Sequence, residues 1–280
     1  MAGLTETLMQ IKSRSTKLCG SGGTQNVSGD SKVCPKCHGD EWLLTKDENG
    51  MERAVPCSCR EKAVMSRKLR FAEIPETFKG MTLKTFRIGV YQDARSRQTI
   101  SDACKIIKEY LNDFENQKAA GMGLYIWSRT KGSGKTRIAA GIANELLKKY
   151  TVKFSVSMTI LQEIKNSWRK DAQYSESALL DALCTVEILV IDDFGVESGA
   201  GWIDDRFYQI INERYINRYV TVFTSNDPLS ELPYDDRISS RIREMTYQIA
   251  FPEESVREYI AREKQEKFLE QIVNQPGGDT

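Results

Sequence analysis

Gly132-Ser133-Gly134-Lys135-Thr136 carries the plainest chemistry in this chain. Glycines let consecutive backbone N–H groups turn inward on phosphate oxygens, a lysine reaches the terminal phosphates, and a hydroxyl ligates magnesium. Gly132, Ser133 and Gly134, then Lys135 and Thr136, fall in those places, so a nucleoside triphosphate with Mg2+ is the expected ligand. The full pattern also asks for a glycine five residues before Gly134, where this chain has Arg129. Further on, Ile188-Leu189-Val190-Ile191 runs into Asp192-Asp193. That is the pattern of a buried strand whose tip presents two carboxylates beside the phosphate loop, Asp192 for the magnesium shell and Asp193 to orient an attacking water.

A second constellation is made of cysteines. Cys34-Pro35-Lys36-Cys37 and Cys57-Ser58-Cys59 are two close pairs, a spacing that suits a structural zinc ribbon in which the metal substitutes for a core too small to hold itself. His38 adjoins Cys37 and could replace one thiolate, although four cysteines already complete a site. Cys19, Cys104 and Cys184 read as structural thiols. Seven cysteines, an odd number unevenly spaced, do not make a disulfide framework.

These groups need elements to position them. From about residue 98 helical stretches alternate with short apolar runs, the rhythm of a parallel sheet covered by helices, hence an α/β fold. The expected strands are Leu124–Trp127, Val152–Val156, Ile188–Ile191, Val220–Thr224 and Gln248–Phe251, with helices over Thr136–Tyr150 and Ile203–Tyr219 among them. Ile74-Pro75 marks an irregular entry, since proline pushes the preceding residue towards extended geometry. The expected organisation is an N-terminal helix and linker at 1–33, a zinc module and basic helix at 34–70, a connecting segment at 71–97 and the ATPase domain at 98–280.

A formal net charge of +1 over 280 residues leaves no global field for nucleic acid, so any such surface must be local. One candidate is the amphipathic stretch Ile160–Lys170, where Lys165, Arg169 and Lys170 surround Trp168, cations and an aromatic that could hold single-stranded DNA. A solvated helix face is the alternative. Arg60–Arg70, with five cations against Glu61, is another. No apolar stretch approaches a membrane span, and Thr5, Glu6 and Thr7 interrupt what a secretory signal would need, so the expected location is cytoplasmic.

The chain resembles the AAA+ replicative helicase loaders of the DnaC/DnaI type, including phage-borne ones, and more distantly the transposition helper ATPases. The resemblance rests on Ile188–Gly195 (ILVIDDFG), on Thr224-Ser225-Asn226, and on Ile74-Pro75 with Phe78 and Phe86. It implies a P-loop AAA+ ATPase domain, ATP as ligand and an N-terminal region that engages the helicase. It also implies Asn226 as the residue that senses the γ-phosphate, Arg241 (with Arg237 beside it) as the finger reaching a neighbouring subunit's nucleotide, and Arg257 as a second sensor. A strand-end amide can donate to a phosphate, although Asn226-Asp227-Pro228 is also a turn signal in its own right. Arg237 and Arg241 lie one helical turn apart, and a solvated arginine face paired with Asp235 or Glu244 is the plain alternative. The function so implied is ATP-dependent loading of a replicative helicase onto single-stranded DNA, by a chain that assembles with copies of itself. Asp193 is one methylene shorter than the usual glutamate, so turnover should be slow. A transposition helper, or an adaptor gated by nucleotide without hydrolysis, are the rival readings.

Overall fold

The computed structural model describes residues 34–38, 40–46, 51–60, 73–172, 175–196 and 201–273. The expected N-terminal helix, the linker with Cys19 and nearly all of the basic 60–70 helix lie outside them. The chain divides into two compact units, Met1–Arg60 and Glu61–Thr280.

In the smaller unit β1 (Trp42–Lys46) pairs antiparallel with β2 (Glu52–Pro56), Leu44 opposite Ala54. Trp42 and Leu44 are exposed, and Arg60 lies 3.8 Å over the Trp42 ring.

The larger unit is built from α1 (Ala94–Asn112), α2 (Phe114–Ala120), β3 (Gly123–Trp127), α3 (Lys135–Leu146), β4 (Val152–Val156), α4 (Ser157–Ser167), α5 (Glu176–Thr185), β5 (Ile188–Phe194), α6 (Gly201–Ile216), β6 (Val220–Ser225), α7 (Asp236–Met245), β7 (Thr246–Ala250) and α8 (Arg257–Val273). The five strands form one sheet in the order β4-β5-β6-β3-β7, every pair parallel. Helices cover both faces, so Leu124, Tyr125 and Ile126 are all buried although they alternate in direction. Tyr125 packs with the cluster around α4–α7, Leu124 and Ile126 with that of α1 and α3.

Element boundaries shift for identifiable reasons. The helix expected at Ile160–Lys170 starts at Ser157 and stops at Ser167, whose hydroxyl donates to the Ile164 carbonyl, leaving Trp168–Lys170 in a turn. The helix expected to reach Tyr219 ends at Ile216 because Arg218 turns left-handed (φ 55°) and the Tyr219 N–H closes on the Arg214 carbonyl. The last strand spans Thr246–Ala250 and follows α7 directly, ending ahead of Pro252. Ile74, Val90 and Tyr91, in the stretch read as a connection, are buried in the core.

Arg214 is fully buried without a carboxylate. Its guanidinium donates to the carbonyls of Leu183, Val186 and Val220 and to the Thr221 hydroxyl, tying the turn before β5 to β6; burial pushes its pKa down to about 9.

Candidate nucleotide site

β3 ends at Trp127 and the chain loops to α3, whose first residue is Lys135. Gly132 (φ 85°) and Gly134 (φ 98°) take left-handed conformations that suit glycine alone without strain. A Cβ on Gly132 would sit 2.9 Å from the Arg257 side chain, and one on Gly134 2.9 Å from the Tyr91 hydroxyl. That hydroxyl donates to the Ser133 carbonyl at 2.7 Å, fastening the loop to the segment before α1. The Lys135 ammonium, buried, donates to the carbonyls of Ser128 (3.0 Å) and Thr130 (3.1 Å) and to the Ser133 hydroxyl. Burial lowers its pKa, so the lysine has much to gain from an anionic partner.

Asp192 and Asp193 occupy an irregularity in β5, where the register with β6 shifts between Ile191 and Phe194. Asp193 adopts φ 59°, which is strained for a residue with a Cβ. One hydroxyl sets both acids: Thr224 Oγ1 donates to Asp192 Oδ1 at 2.5 Å and accepts from the Asp193 N–H at 2.9 Å. The Asp193 carbonyl accepts from Ser157, and its carboxylate from Asn226 Nδ2 at 3.0 Å. Asp192 is buried; desolvation raises its pKa, and hydrogen bonds from Thr224 and Thr136 oppose that rise. A divalent cation held by Thr136 and Asp192 would favour the ionised carboxylate outright.

Gly132, Gly134, Lys135, Thr136, Asp193, Asn226 and Arg257 line one cleft of about 330 Å³, with Phe78, Arg137 and Val256 also on its wall. Ser133 is buried in the loop beneath, and Asp192 lies beside Thr136. The arrangement fits a magnesium nucleotide. Thr136 and Asp192 would hold the cation, which would draw charge from the phosphates, and the loop N–H groups, Lys135 and Arg257 would hold the anion.

Arg237 and Arg241 do not line this cleft. Arg237 pairs with Asp235 through Nε at 3.0 Å. Among the described residues Arg241 hydrogen-bonds only neutral partners, Asn212 Oδ1 (2.8 Å), the Arg237 carbonyl (2.8 Å) and the Tyr208 hydroxyl (3.2 Å), with its charge 4.8 Å over the Tyr208 ring.

Of the candidate DNA contacts, Lys165 lies in the last turn of α4 with its ammonium 5.3 Å over the Trp202 ring. Trp168 is 52% exposed, stacks edge-on against Trp202 and donates its indole N–H to Glu176. Arg169 lies 3.5 Å from Asp171, and Lys170 is exposed.

In the smaller unit the four sulfurs of Cys34, Cys37, Cys57 and Cys59 lie within 4.8 Å of one another. Cys34 and Cys57 are 3.8 Å apart, Cys37 and Cys59 3.3 Å. Four thiolates around tetrahedral zinc at about 2.3 Å stand about 3.8 Å apart, so the cluster fits that metal. Backbone N–H groups of Cys37 and Lys36 draw the Cys34 thiol down to about 6, while the Cys37 sulfur and burial push the Cys59 thiol up, so the full set of thiolates would form only as a metal displaces the remaining protons. His38 is exposed and outside the cluster.

Several residues that shape the site carry no signal of their own in the sequence: Thr224 stands out only within Thr224-Ser225-Asn226, and Tyr91 and Trp202 fall in no motif. Glu253 accepts from the Arg129 N–H (2.9 Å), the Thr130 N–H and hydroxyl (2.8 Å each) and the Ser128 hydroxyl. A charged residue in a loop after the last strand announces nothing by spacing; only the fold lays it on the phosphate loop.

The family described as IstB-like ATP binding protein matches residues 58–236. Phage-like element PBSX protein XkdC of Bacillus subtilis (strain 168) is 28% identical over 218 residues, 76% of this chain and 79% of that protein. Replicative helicase loader DnaC of Escherichia coli (strain K12) is 25% identical over 209 residues, 73% of this chain and 80% of its own length. The crystal structure of DnaI superposes with a TM-score of 0.53 at 26% identity, over 64% of this chain and 95% of that one. The chain belongs to the IstB-like AAA+ family of ATP-binding proteins, and it is a homologue of the DnaC/DnaI helicase loaders.

Proposed function

We propose that this protein uses ATP to load a replicative DNA helicase onto single-stranded DNA, nucleotide state governing release. The observation that carries the reading is the convergence of Lys135, Thr136, Asp193, Asn226 and Arg257 on one cleft in a homologue of helicase loaders. In this reading Thr136 and Asp192 hold Mg2+, Asp193 orients the attacking water, and Asn226 and Arg257 sense the γ-phosphate. Arg241 serves a second copy's nucleotide: its neutral partners leave its charge uncompensated, whereas Arg237 is already neutralised by Asp235. Lys165, Trp168, Arg169 and Lys170, with Trp202, contact the DNA strand. The cysteine unit, held by zinc, meets the helicase. No helix among the described residues is long and apolar enough to cross a membrane, consistent with work on cytoplasmic DNA.

The test is reconstitution with the replicative helicase of the same cell. The two should co-purify, and helicase-driven unwinding of a bubble substrate should depend on this chain and ATP. Lys135→Ala should abolish nucleotide binding and loading together; loading that survives Lys135→Ala would overturn the reading. A second reading, a nucleotide-gated adaptor that does not turn ATP over, is favoured by one observation: Asn226 already holds the Asp193 carboxylate. Turnover measured with and without single-stranded DNA separates the two.

A further inference from the structure

Arg129 stands where the phosphate-loop pattern has glycine. Glycine is obligatory only where the backbone turns left-handed or leaves no room for a Cβ. Arg129 meets neither condition: it is not among the described residues with positive φ, and its side chain is exposed. The position is therefore free to carry a side chain, and this one is engaged at both ends.

The guanidinium forms a fork with Glu231, Nη1 to Oε2 at 2.8 Å and Nη2 to Oε1 beside it. Glu231 closes the short turn Leu229–Glu231, which follows Asn226-Asp227-Pro228 at the tip of β6. The backbone N–H of Arg129 donates to Glu253, and the same segment continues to Val256, whose N–H bonds the Gly132 carbonyl, and to Arg257, whose side chain lies against Gly132. One residue thus joins the phosphate loop to the turn that carries Asn226 and to the segment that carries Arg257.

The geometry points to Arg129 as a positioning residue for nucleotide sensing, a brace that holds Asn226 and Arg257 in register with the phosphate loop in place of the missing glycine. The inference rests on the reading of Asn226 as a γ-phosphate contact. A planar fork on a carboxylate fixes orientation as well as distance, which a lysine cannot do. Both partners are about half exposed, at 57% and 49%, so the pair adds little to global stability. Its effect is local, because a sensing contact is lost on a displacement well below the size of an atom.

The measurement is the ATP-over-ADP affinity ratio of the full chain, by titration with fluorescent analogues of each in Mg2+. Arg129→Gly, which restores the motif residue, should lower the ratio about threefold through weaker ATP binding, the scale of an exposed ion pair. Arg129→Lys should fall between it and the natural protein. Arg129→Glu combined with Glu231→Arg should recover most of the ratio, while each single reversal lowers it. Raising salt should lower the ratio more steeply in the natural protein than in Arg129→Gly, since the exposed pair is screened in addition to the phosphate contacts that both share. A ratio unchanged in Arg129→Gly, or equal losses of ATP and ADP affinity, overturns the brace. Two controls separate this from failure of the underlying reading: Lys135→Ala must abolish binding, and Asn226→Ala must lower the ratio.

Discussion

The two units of this protein bury very different amounts of apolar surface. In the smaller one the buried side chains, among the described residues, are Cys37 and Cys57, while Trp42, Leu44 and Met51 are 45%, 74% and 63% exposed. In the larger one a five-stranded sheet buries aliphatic and aromatic side chains on both faces. A hairpin with so little buried surface cannot offset its own conformational entropy, and a metal is the usual remedy; a core of the second size needs none. The difference teaches where each unit is vulnerable.

The largest effect should come from metal. Zinc should be present at one ion per chain; in zinc-finger peptides such binding is worth about 10–16 kcal/mol at neutral pH. A strong chelator, or Cys37→Ser, should unfold the hairpin, seen as loss of protected amides over β1 and β2 in hydrogen exchange, with nucleotide binding retained. Chelation that abolished nucleotide binding while sparing the hairpin would break the comparison. Next, Phe207→Ala removes a fully buried ring that meets Phe194 and Tyr234. It should cost about 3–5 kcal/mol in denaturant unfolding of the larger unit and leave zinc content unchanged.

A smaller change sharpens the picture inside the larger unit. Thr224→Val keeps the shape of the core but takes away the hydroxyl shared by Asp192 and Asp193, a loss of about 1–3 kcal/mol of polar satisfaction. ATP turnover should fall roughly tenfold, with a raised Mg2+ requirement for nucleotide binding, and Thr224→Ser should restore both. The smallest effect belongs to the C-terminal helix. Arg87, then Lys267, hold the Glu263 carboxyl down to about 2, against an ordinary 4.5. A depressed folded pKa means the contribution is present above about 4.5 and is lost as pH falls towards 2. Glu263→Gln should therefore melt slightly lower than the natural protein at pH 7, and the gap should close across that acid window.

Much of this architecture was legible in the residues. Val152–Val156 coincides with β4, and three other strands needed only a residue or a few at their ends, because runs buried on both faces are continuous in sequence. Gly132–Thr136, Asp192 and Asp193 stand out as candidates because a phosphate or magnesium site accepts few residue types at fixed spacings, and the fold brings them together. The cysteine pairs stand out as candidate zinc ligands for the same reason, and their four sulfurs do converge.

What the chain alone determined is the set of chemical groups and the elements that carry them, since helix and strand periods and motif spacing are local properties. Only the tertiary structure decided how those groups are held. The left-handed Asp193, the single Thr224 hydroxyl between two acids, Glu253 laid along the phosphate loop and Arg129 forked onto Glu231 join residues from about 30 to more than 120 positions apart. Such contacts have no period and no motif. They exist because a parallel sheet brings the carboxyl ends of β3, β5, β6 and β7 to one edge, and the loops leaving those ends have nowhere else to meet.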